Sequence, residues 1–467
     1  VIYLHVPFCE SRCTYCGFYS NVISNVILSE AQRNNENVIL SEAQRNNETV
    51  ILSEAKNLCY EAYADAVCAE VAARREEIAR TLEVNTLYIG GGTPSVLPLD
   101  VLSRIVNAIK GNSLSPEGAM PPNPPRFALR PVSPAASHPF MWPRAATGSA
   151  GIPLPASNDE TVILSEAKNL SQWSEFTVEV NPEDIVRRGE EYVKGLLALG
   201  VNRISMGVQS FDDRILRWMN RRHDSAAAVE AFRILRHCGV GNISIDLIFG
   251  LPQLSEAVWT DTLEKALDLG PEHISAYQLS IEEGSALEKL IAKGGFAEAT
   301  EDQCREQYDQ LCARLGEAGY HHYEVSNFSR PGYEAVHNSA YWRRVPYVGL
   351  GPGAHSLSAG SVRSWNSEDI HAYSREEENL TPEDIRVERI MLPLRTDAGL
   401  PEAELRSLAG DAAVDRLLSE GALWFDSAHQ PAPVPEQSRR MVPERSRRIR
   451  IPEDHFFVSD DIISDLI

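Results

Sequence analysis

The sequence predicts an α/β protein: a partial, TIM-like (β/α)6 barrel followed by a small C-terminal helical domain. Three observations predict it. Between Val1 and Leu279, short apolar segments alternate six times with segments of helical period. Such alternation implies a parallel sheet with helices outside, and right-handed crossovers curl that sheet toward a barrel. The chemically suggestive residues also fall at the C-terminal ends of the predicted strands, where a barrel of this kind keeps its site.

The strands are Val1–Val6, Thr86–Ile89, Phe176–Val180, Arg203–Val208, Ile243–Phe249 and His273–Leu279. The first five are followed at once by Pro7, Gly90, Asn181, Gln209 and Gly250, and the sixth by Ser280. Between them, Cys59–Arg80, Asp100–Lys110, Asp184–Leu199, Asp212–Met219, Ala226–Cys238 and Ser255–Leu269 have the spacing of helices, with Tyr63, Val67 and Val71 sharing a face of the first. His321 and His322 head a seventh strand and read as structural. Beyond Thr381 come helices over Pro382–Leu392, Pro401–Leu408, Ala412–Glu420 and Ser459–Ile467, with short strands at Gly421–Leu423 and Ile449–Ile451. The domain division expected is 1–375 for the barrel and its extension and 376–467 for the small domain.

Near-identical repeats interrupt this order. NVILSEAQRNNE occupies Asn25–Glu36 and again Asn37–Glu48, and TVILSEAKNL occupies Thr49–Leu58 and Thr161–Leu170. A second repeat runs Pro435–Arg440 and Pro443–Arg448. Copies so few and so alike are not solenoid units, which stack many diverged copies. They read as inserts at 21–58, 111–172 and 427–448. The second insert includes a Pro/Ala/Ser-rich tract, Pro121–Pro155, expected to be loose.

Composition narrows the function classes. The formal net charge is −22, which argues against a nucleic-acid groove, since those are basic. No run reaches the length of a membrane span, and no secretory signal precedes the first strand. The chain starts at Val1, directly in a strand, so a few leading residues are expected to be missing. The 8 cysteines form no paired framework, which suggests a reducing, cytoplasmic compartment. Five of them, Cys59, Cys68, Cys238, Cys304 and Cys312, read as small packing residues.

The other three are Cys9, Cys13 and Cys16, spaced C-x3-C-x2-C just after the first strand. Thiolates converging from one tight loop suit an iron–sulfur cluster, and three on a four-iron cube leave one iron open to a small molecule. The second strand ends in Gly90-Gly91-Gly92-Thr93-Pro94, whose glycines let backbone approach a ligand closely. Glu179 ends the third strand, and Asp246 interrupts a strand that otherwise reads as buried; both carboxylates are costly there unless paired.

The cysteine spacing resembles the cluster loop of radical S-adenosylmethionine (SAM) enzymes, and the likeness covers most of the chain outside the inserts. It implies a [4Fe–4S] cluster on Cys9, Cys13 and Cys16, with SAM chelating the open iron and being cleaved by an electron from the cluster. It further implies that Tyr3, Gly91, Gly92, Thr93, Glu179, Gln209, Arg221 and Asp246 surround SAM. The C-terminal segment resembles the family's small winged-helix-like domain. Oxygen-independent coproporphyrinogen III oxidases carry a further cysteine two residues past the third; here that residue is Phe18. The run His337-Asn338-Ser339-Ala340-Tyr341-Trp342 resembles the H-N-x-x-Y-W signature of the HemW-type heme chaperones. That likeness implies heme held by His337, with Tyr341 and Trp342 as aromatic walls. The Gly-rich run from Tyr347 to Ser356 resembles the same branch and is expected to turn closely near the pocket.

The reading that results is a cytoplasmic heme chaperone that carries a SAM-associated cluster and delivers heme to an unidentified acceptor protein, a membrane-protein client being one candidate. The alternative is an enzyme of porphyrin biosynthesis, an oxygen-independent coproporphyrinogen III oxidase. A third reading is a degenerate copy made non-functional by its repeats.

Overall fold

The computed structural model describes residues 1–16, 21–22, 48–81, 84–111, 173–370, 373–425 and 447–467. Most of the predicted inserts, and Phe18, lie outside the described residues.

Six parallel strands form the centre: β1 Ile2–Val6, β2 Thr86–Gly91, β3 Glu175–Val180, β4 Arg203–Gln209, β5 Ile243–Phe249 and β6 His273–Gln278. All six coincide with the predicted strands to within a residue or two. The edge hairpin β7 His321–Glu324 and β8 Asn327–Ser329 adds antiparallel to β6, and β9 Val348–Leu350 adds parallel to β1. The nine-stranded order is therefore β9-β1-β2-β3-β4-β5-β6-β8-β7. The two edges do not pair, so the curled sheet is a partial barrel.

The helices between strands cover the outside. The longer of them are α1 Glu48–Ala73, α2 Leu99–Ile109, α3 Pro182–Leu199, α4 Ser225–His237 and α5 Glu256–Leu269, with short helices at Arg75–Arg80 and Asp213–Trp218. In α2, Val101, Leu102, Ile105, Val106 and Ile109 form one buried stripe. The Asn181 side chain caps α3 at its start, with Pro182 next in the chain, and Gly200 closes it at φ +101°. The first helix begins at Glu48, eleven residues before the expected Cys59, because the repeat copy at Thr49–Leu58 is continuous with it. Leu58, in that copy, is 71% exposed, while Cys59 and Tyr63 are buried in the core.

Away from the ends of β2 and β6, the strands are buried on both faces except along the inner one. Tyr3, Tyr88, Glu179, Gly207 and Asp246 within the strands, and Gln209 and Tyr277 toward the ends of β4 and β6, keep partial or full exposure. These residues face the open lumen, so the lumen is polar where the rest of the barrel wall is apolar.

Two further helices, α6 Glu301–Glu317 and α7 Val336–Trp342, flank the edge hairpin and the lower end of the barrel. The C-terminal segment has helices at Pro382–Leu394, Glu402–Ala409 and Asp411–Ser419 and a three-stranded sheet ordered Leu400–Pro401, Arg448–Arg450, Trp424–Phe425. The strand expected at Gly421–Leu423 lies instead at Trp424–Phe425, because Gly421 at φ +77° closes the preceding helix. The last helix, expected to reach Ile467, ends at Ser464.

Candidate functional site

The cysteine loop leaves β1 at the C-terminal mouth of the barrel. Its backbone is tied to the Asp213–Trp218 helix and the two residues after it: Thr14 N–H donates to Met219 O at 3.1 Å, Thr14 Oγ1 to Trp218 O at 2.9 Å, and Asn220 to Arg12 O at 2.7 Å. Glu10, between the first two cysteines, accepts from Arg187 at 3.2 Å and Arg222 at 2.9 Å. Arg222 also donates to the fully buried Asp184 at 2.9 Å, which anchors the loop to α3. Sequence reasoning missed this clamp; the signal was an acidic residue inside a cluster-type loop, facing an Arg-Arg pair far along the chain.

Cys9 is buried, while Cys13 and Cys16 are half-buried, and none of the three is in a disulfide. Cys9 Sγ lies 3.4 Å from Thr93 Oγ1. Gly92 packs on the loop so closely that a Cβ there would stand 2.5 Å from Phe8 O and 3.1 Å from Cys9 Sγ. Gly91 has φ +112°, and a Cβ would meet the His5 ring at 2.7 Å. The glycine run is therefore set by backbone proximity to the cysteine loop. Arg221 reaches Cys13 Sγ at 3.4 Å and Gly207 O at 2.6 Å, while its buried Nε has no hydrogen-bond partner among the described residues. A cation with an unused donor, beside three thiols on one loop, suits a group that is anionic and sulfur-ligated. The donor set therefore fits an iron–sulfur cluster held by Cys9, Cys13 and Cys16. Among the described residues, no three His, Cys, Asp or Glu side chains are gathered around a single metal-ion position.

Below the loop, Glu179 accepts from Tyr88 Oη at 2.8 Å and from Gly91 N–H at 3.1 Å. Burial pushes its carboxyl up to about 7, aided by the charge of Asp246 and opposed by those two hydrogen bonds. Burial also pushes Asp246 up to about 6, against the pull of Arg203 and the hydroxyls of Ser205 and Ser275. Gln209 has φ +67° at a bulge in the β4·β5 ladder. Such a conformation costs a non-glycine residue roughly 1 kcal/mol or more and re-aims its side chain. Tyr3 Oη pairs with His5 Nδ1 at 3.0 Å, and its ring lies 6.1 Å from that of Tyr88. The structure thus brings Tyr3, Gly91, Gly92, Thr93, Glu179, Gln209, Arg221 and Asp246 to one mouth and lumen. Tyr88 was not singled out in the sequence; its alternation with Gly90 on the inner face of β2 was the available signal.

The expected heme residues lie elsewhere. Helix α7 sits at the opposite, N-terminal end of the barrel. Its first two N–H groups, of Val336 and His337, donate to the Glu175 carboxylate at the base of β3, at 2.7 and 3.2 Å. His337 is 1% exposed. Its Nδ1 pairs with Thr86 Oγ1 and its Nε2 with Tyr341 Oη, both at 2.9 Å. Burial holds the imidazole down to about 3, so it is neutral. His337 and Tyr341 share a helix face, as expected, but Tyr341 is spent on the histidine itself and Trp342 faces Glu324. Both ring nitrogens are occupied, so His337 could ligate iron only if α7 left its seat. It also stands a strand's length, roughly 15 Å, from the cysteine loop.

The Gly-rich run from Tyr347 does turn closely: a Cβ on Gly351 would stand 2.6 Å from His5 O. Glu70 of α1 holds it, accepting from Gly351 N–H at 2.8 Å, while pairing with the buried Arg74 at 2.7 Å. A cleft of about 800 Å³ beside Arg74, Arg80 and Arg375 opens on the outside of the barrel, away from the thiols. Arg74 and Arg375 both pair with Glu77 there, and Arg80 pairs with Glu76, so the chemistry stays with the lumen.

A family model described as the radical SAM superfamily matches residues 147–266, which takes in β3 to most of α5. The chain is 27% identical to a heme chaperone HemW from Synechocystis over 87% of its length and 80% of the relative's. It is 28% identical to a heme chaperone HemW from Lactococcus lactis over 85% of its length and 82% of the relative's. Among solved structures, coproporphyrinogen III oxidase (HemN) from Escherichia coli, described as a radical SAM enzyme, superposes with a TM-score of 0.62 at 18% identity. That superposition covers 100% of this chain and 89% of the other. The chain is thus similar in a barrel segment to the radical SAM superfamily, in sequence over most of its length to the HemW heme chaperones, and in fold to coproporphyrinogen III oxidase.

Proposed function

We propose that Cys9, Cys13 and Cys16 hold a [4Fe–4S] cluster, that SAM lies beside it in the lumen, and that the protein is a heme chaperone serving an acceptor protein. The observation that carries the first part is the mouth itself: three thiols on one clamped loop, packed on Gly92 and facing Arg221. When bound, the cluster supplies an electron to the SAM sulfonium. The chain's own residues bind and orient. Gly91 and Gly92 keep side chains out of the way, and Tyr88 fixes Glu179, whose carboxylate borders the lumen. Arg221 offers its unused Nε to an anionic group. The heme part rests on the likeness to the HemW chaperones rather than on His337, Tyr341 and Trp342, which close the barrel floor. We place the division between the barrel unit and the small C-terminal unit at 375/376, with the repeat-bearing tracts as inserts, and we place the protein in the cytoplasm. Among the described residues, no helix is long and apolar enough to cross a membrane.

The test is anaerobic reconstitution with parallel assays on one sample. About four irons per chain are expected, the count of one cube. Heme should bind stoichiometrically, and coproporphyrinogen III should remain intact. Robust decarboxylation would instead establish the oxidase, which the HemN-like fold accommodates.

A further inference from the structure

We infer that His337 is a positioning residue for the SAM pocket: from the barrel floor it holds Tyr88, and through Tyr88 it holds the Glu179 carboxylate. This role rests on the proposal that SAM occupies the lumen beside Glu179.

The geometry is a column up the inner face of β2. Thr86, Tyr88 and Gly90 alternate onto that face, as every second residue of a strand does. The His337 ring lies 5.0 Å from the Tyr88 ring at a tilt of 33°. Nearer the mouth, the Tyr88 hydroxyl donates to Glu179 Oε1 at 2.8 Å, and Glu179 Oε2 takes the Gly91 N–H at 3.1 Å. At the top there is no slack: a Cβ on Gly90 would stand 2.8 Å from both Glu179 Oε1 and Tyr88 Cε1. At the bottom the imidazole is fixed in plane by Thr86 and Tyr341, and Tyr341 is wedged edge-on against Tyr347 at 4.8 Å. Glu175 fixes the helix that presents it.

An apolar side chain of similar size would plug the floor. It would not be locked by two hydrogen bonds in one plane beneath the tyrosine. Burial and the neighbouring Glu179 charge keep Tyr88 protonated, so its hydroxyl stays a donor. Removing the imidazole leaves Tyr88 room to drop, and Glu179 then loses that donor. The pocket thereby accounts for two residue types of the H-N-x-x-Y-W run: His337 supports the column and Tyr341 orients His337.

The experiment uses the full chain with its cluster reconstituted. Labelled SAM is titrated by equilibrium dialysis, the reduced cluster's electron paramagnetic resonance signal is recorded with and without SAM, and heme is titrated in parallel. His337→Ala should weaken SAM binding about tenfold, the scale of a lost hydrogen bond to a charged group, and diminish the SAM-induced change in the signal. Tyr88→Phe should do the same. The double variant should be no weaker than Tyr88→Phe alone, because both act through one hydroxyl. His337→Gln, which keeps a donor and an acceptor, should recover most of the loss. If His337→Ala fails to fold, Tyr341→Phe removes only one of its partners and should still weaken SAM by about threefold. Wild-type affinity for SAM in His337→Ala, or additive losses in the double variant, overturns the inference. So does loss of heme with SAM binding intact, which would return His337 to iron ligation. A wild-type protein that takes up its cluster and binds no SAM overturns the SAM pocket itself, and the role of His337 with it.

Discussion

At its C-terminal mouth the barrel presents three thiols, an arginine with an unused Nε, and a strand end bent to φ +67° at Gln209. At its N-terminal floor it presents an equally suggestive set, a histidine, a tyrosine and a tryptophan on one short helix. There, each nitrogen of His337 already has a partner at 2.9 Å, and the helix N-terminus is capped by Glu175. The arginine at the mouth and the histidine at the floor differ in satisfaction: Arg221 Nε has no partner among the described residues, while both nitrogens of His337 are bonded. Polar groups left with bonding capacity mark a place for a ligand, whereas polar groups that complete one another mark a joint. The seat of His337 is such a joint, whereas Arg221, beside the cysteine loop, keeps a donor to spare.

The largest effect that would break this comparison lies at the mouth. Changing any one of Cys9, Cys13 or Cys16 to alanine should abolish the cluster's visible absorbance, while the far-ultraviolet circular dichroism stays that of the parent. A triple variant that still held about four irons per chain would show that the thiols are not the ligands.

At the floor the expected effect is on stability. Glu175→Ala removes the acceptor of two helix N–H groups at a buried position and should cost about 1–3 kcal/mol in denaturant unfolding. Iron uptake should match the parent. An unchanged midpoint would mean that α7 is held by something other than its cap.

Within the floor, two buried groups should also separate by pH. Glu324, beside Trp342, is 1% exposed, and burial pushes its carboxyl up to about 8. A carboxyl raised in the folded state contributes stability that is complete below the unfolded value and is lost as pH rises. The loss therefore falls between about 4.5 and 8. Glu324→Gln should flatten that decline, by up to a few kcal/mol at its upper end. His337 gives the opposite slope. Its folded value of about 3 lies below the ordinary 6.5, so its contribution is complete above 6.5 and fades as pH falls toward 3. His337→Gln should remove that acid-side slope. Chemical denaturation across the range reads both.

The smallest effect belongs to the repeats. Deleting Asn25–Glu48, two repeat copies, should leave iron content unchanged, since closure entropy grows slowly with loop length. Loss of the cluster in that deletion would place the repeat in the mouth's architecture.

The sequence by itself determined the barrel and the mouth. Six apolar runs, each closed by turn residues, register as six parallel strands because burial on both faces demands continuous apolar residues. The thiols are legible for a similar reason: they come from one short loop, so their spacing is already three-dimensional information. The same is true of Gly90–Gly92, which must sit where β2 meets the loop after β1. What sequence could not supply was the partnering of groups distant along the chain. Tyr88 meets Glu179 across 91 residues, Glu10 meets Arg222 across 212, and His337 meets Thr86 across 251. A histidine with two aromatic neighbours reads the same in one dimension whether its nitrogens face a ligand or the hydroxyls of its own chain. Only the tertiary structure decided that His337 closes the floor, because hydrogen bonding is settled by direction and distance between strands, and neither is written in local spacing.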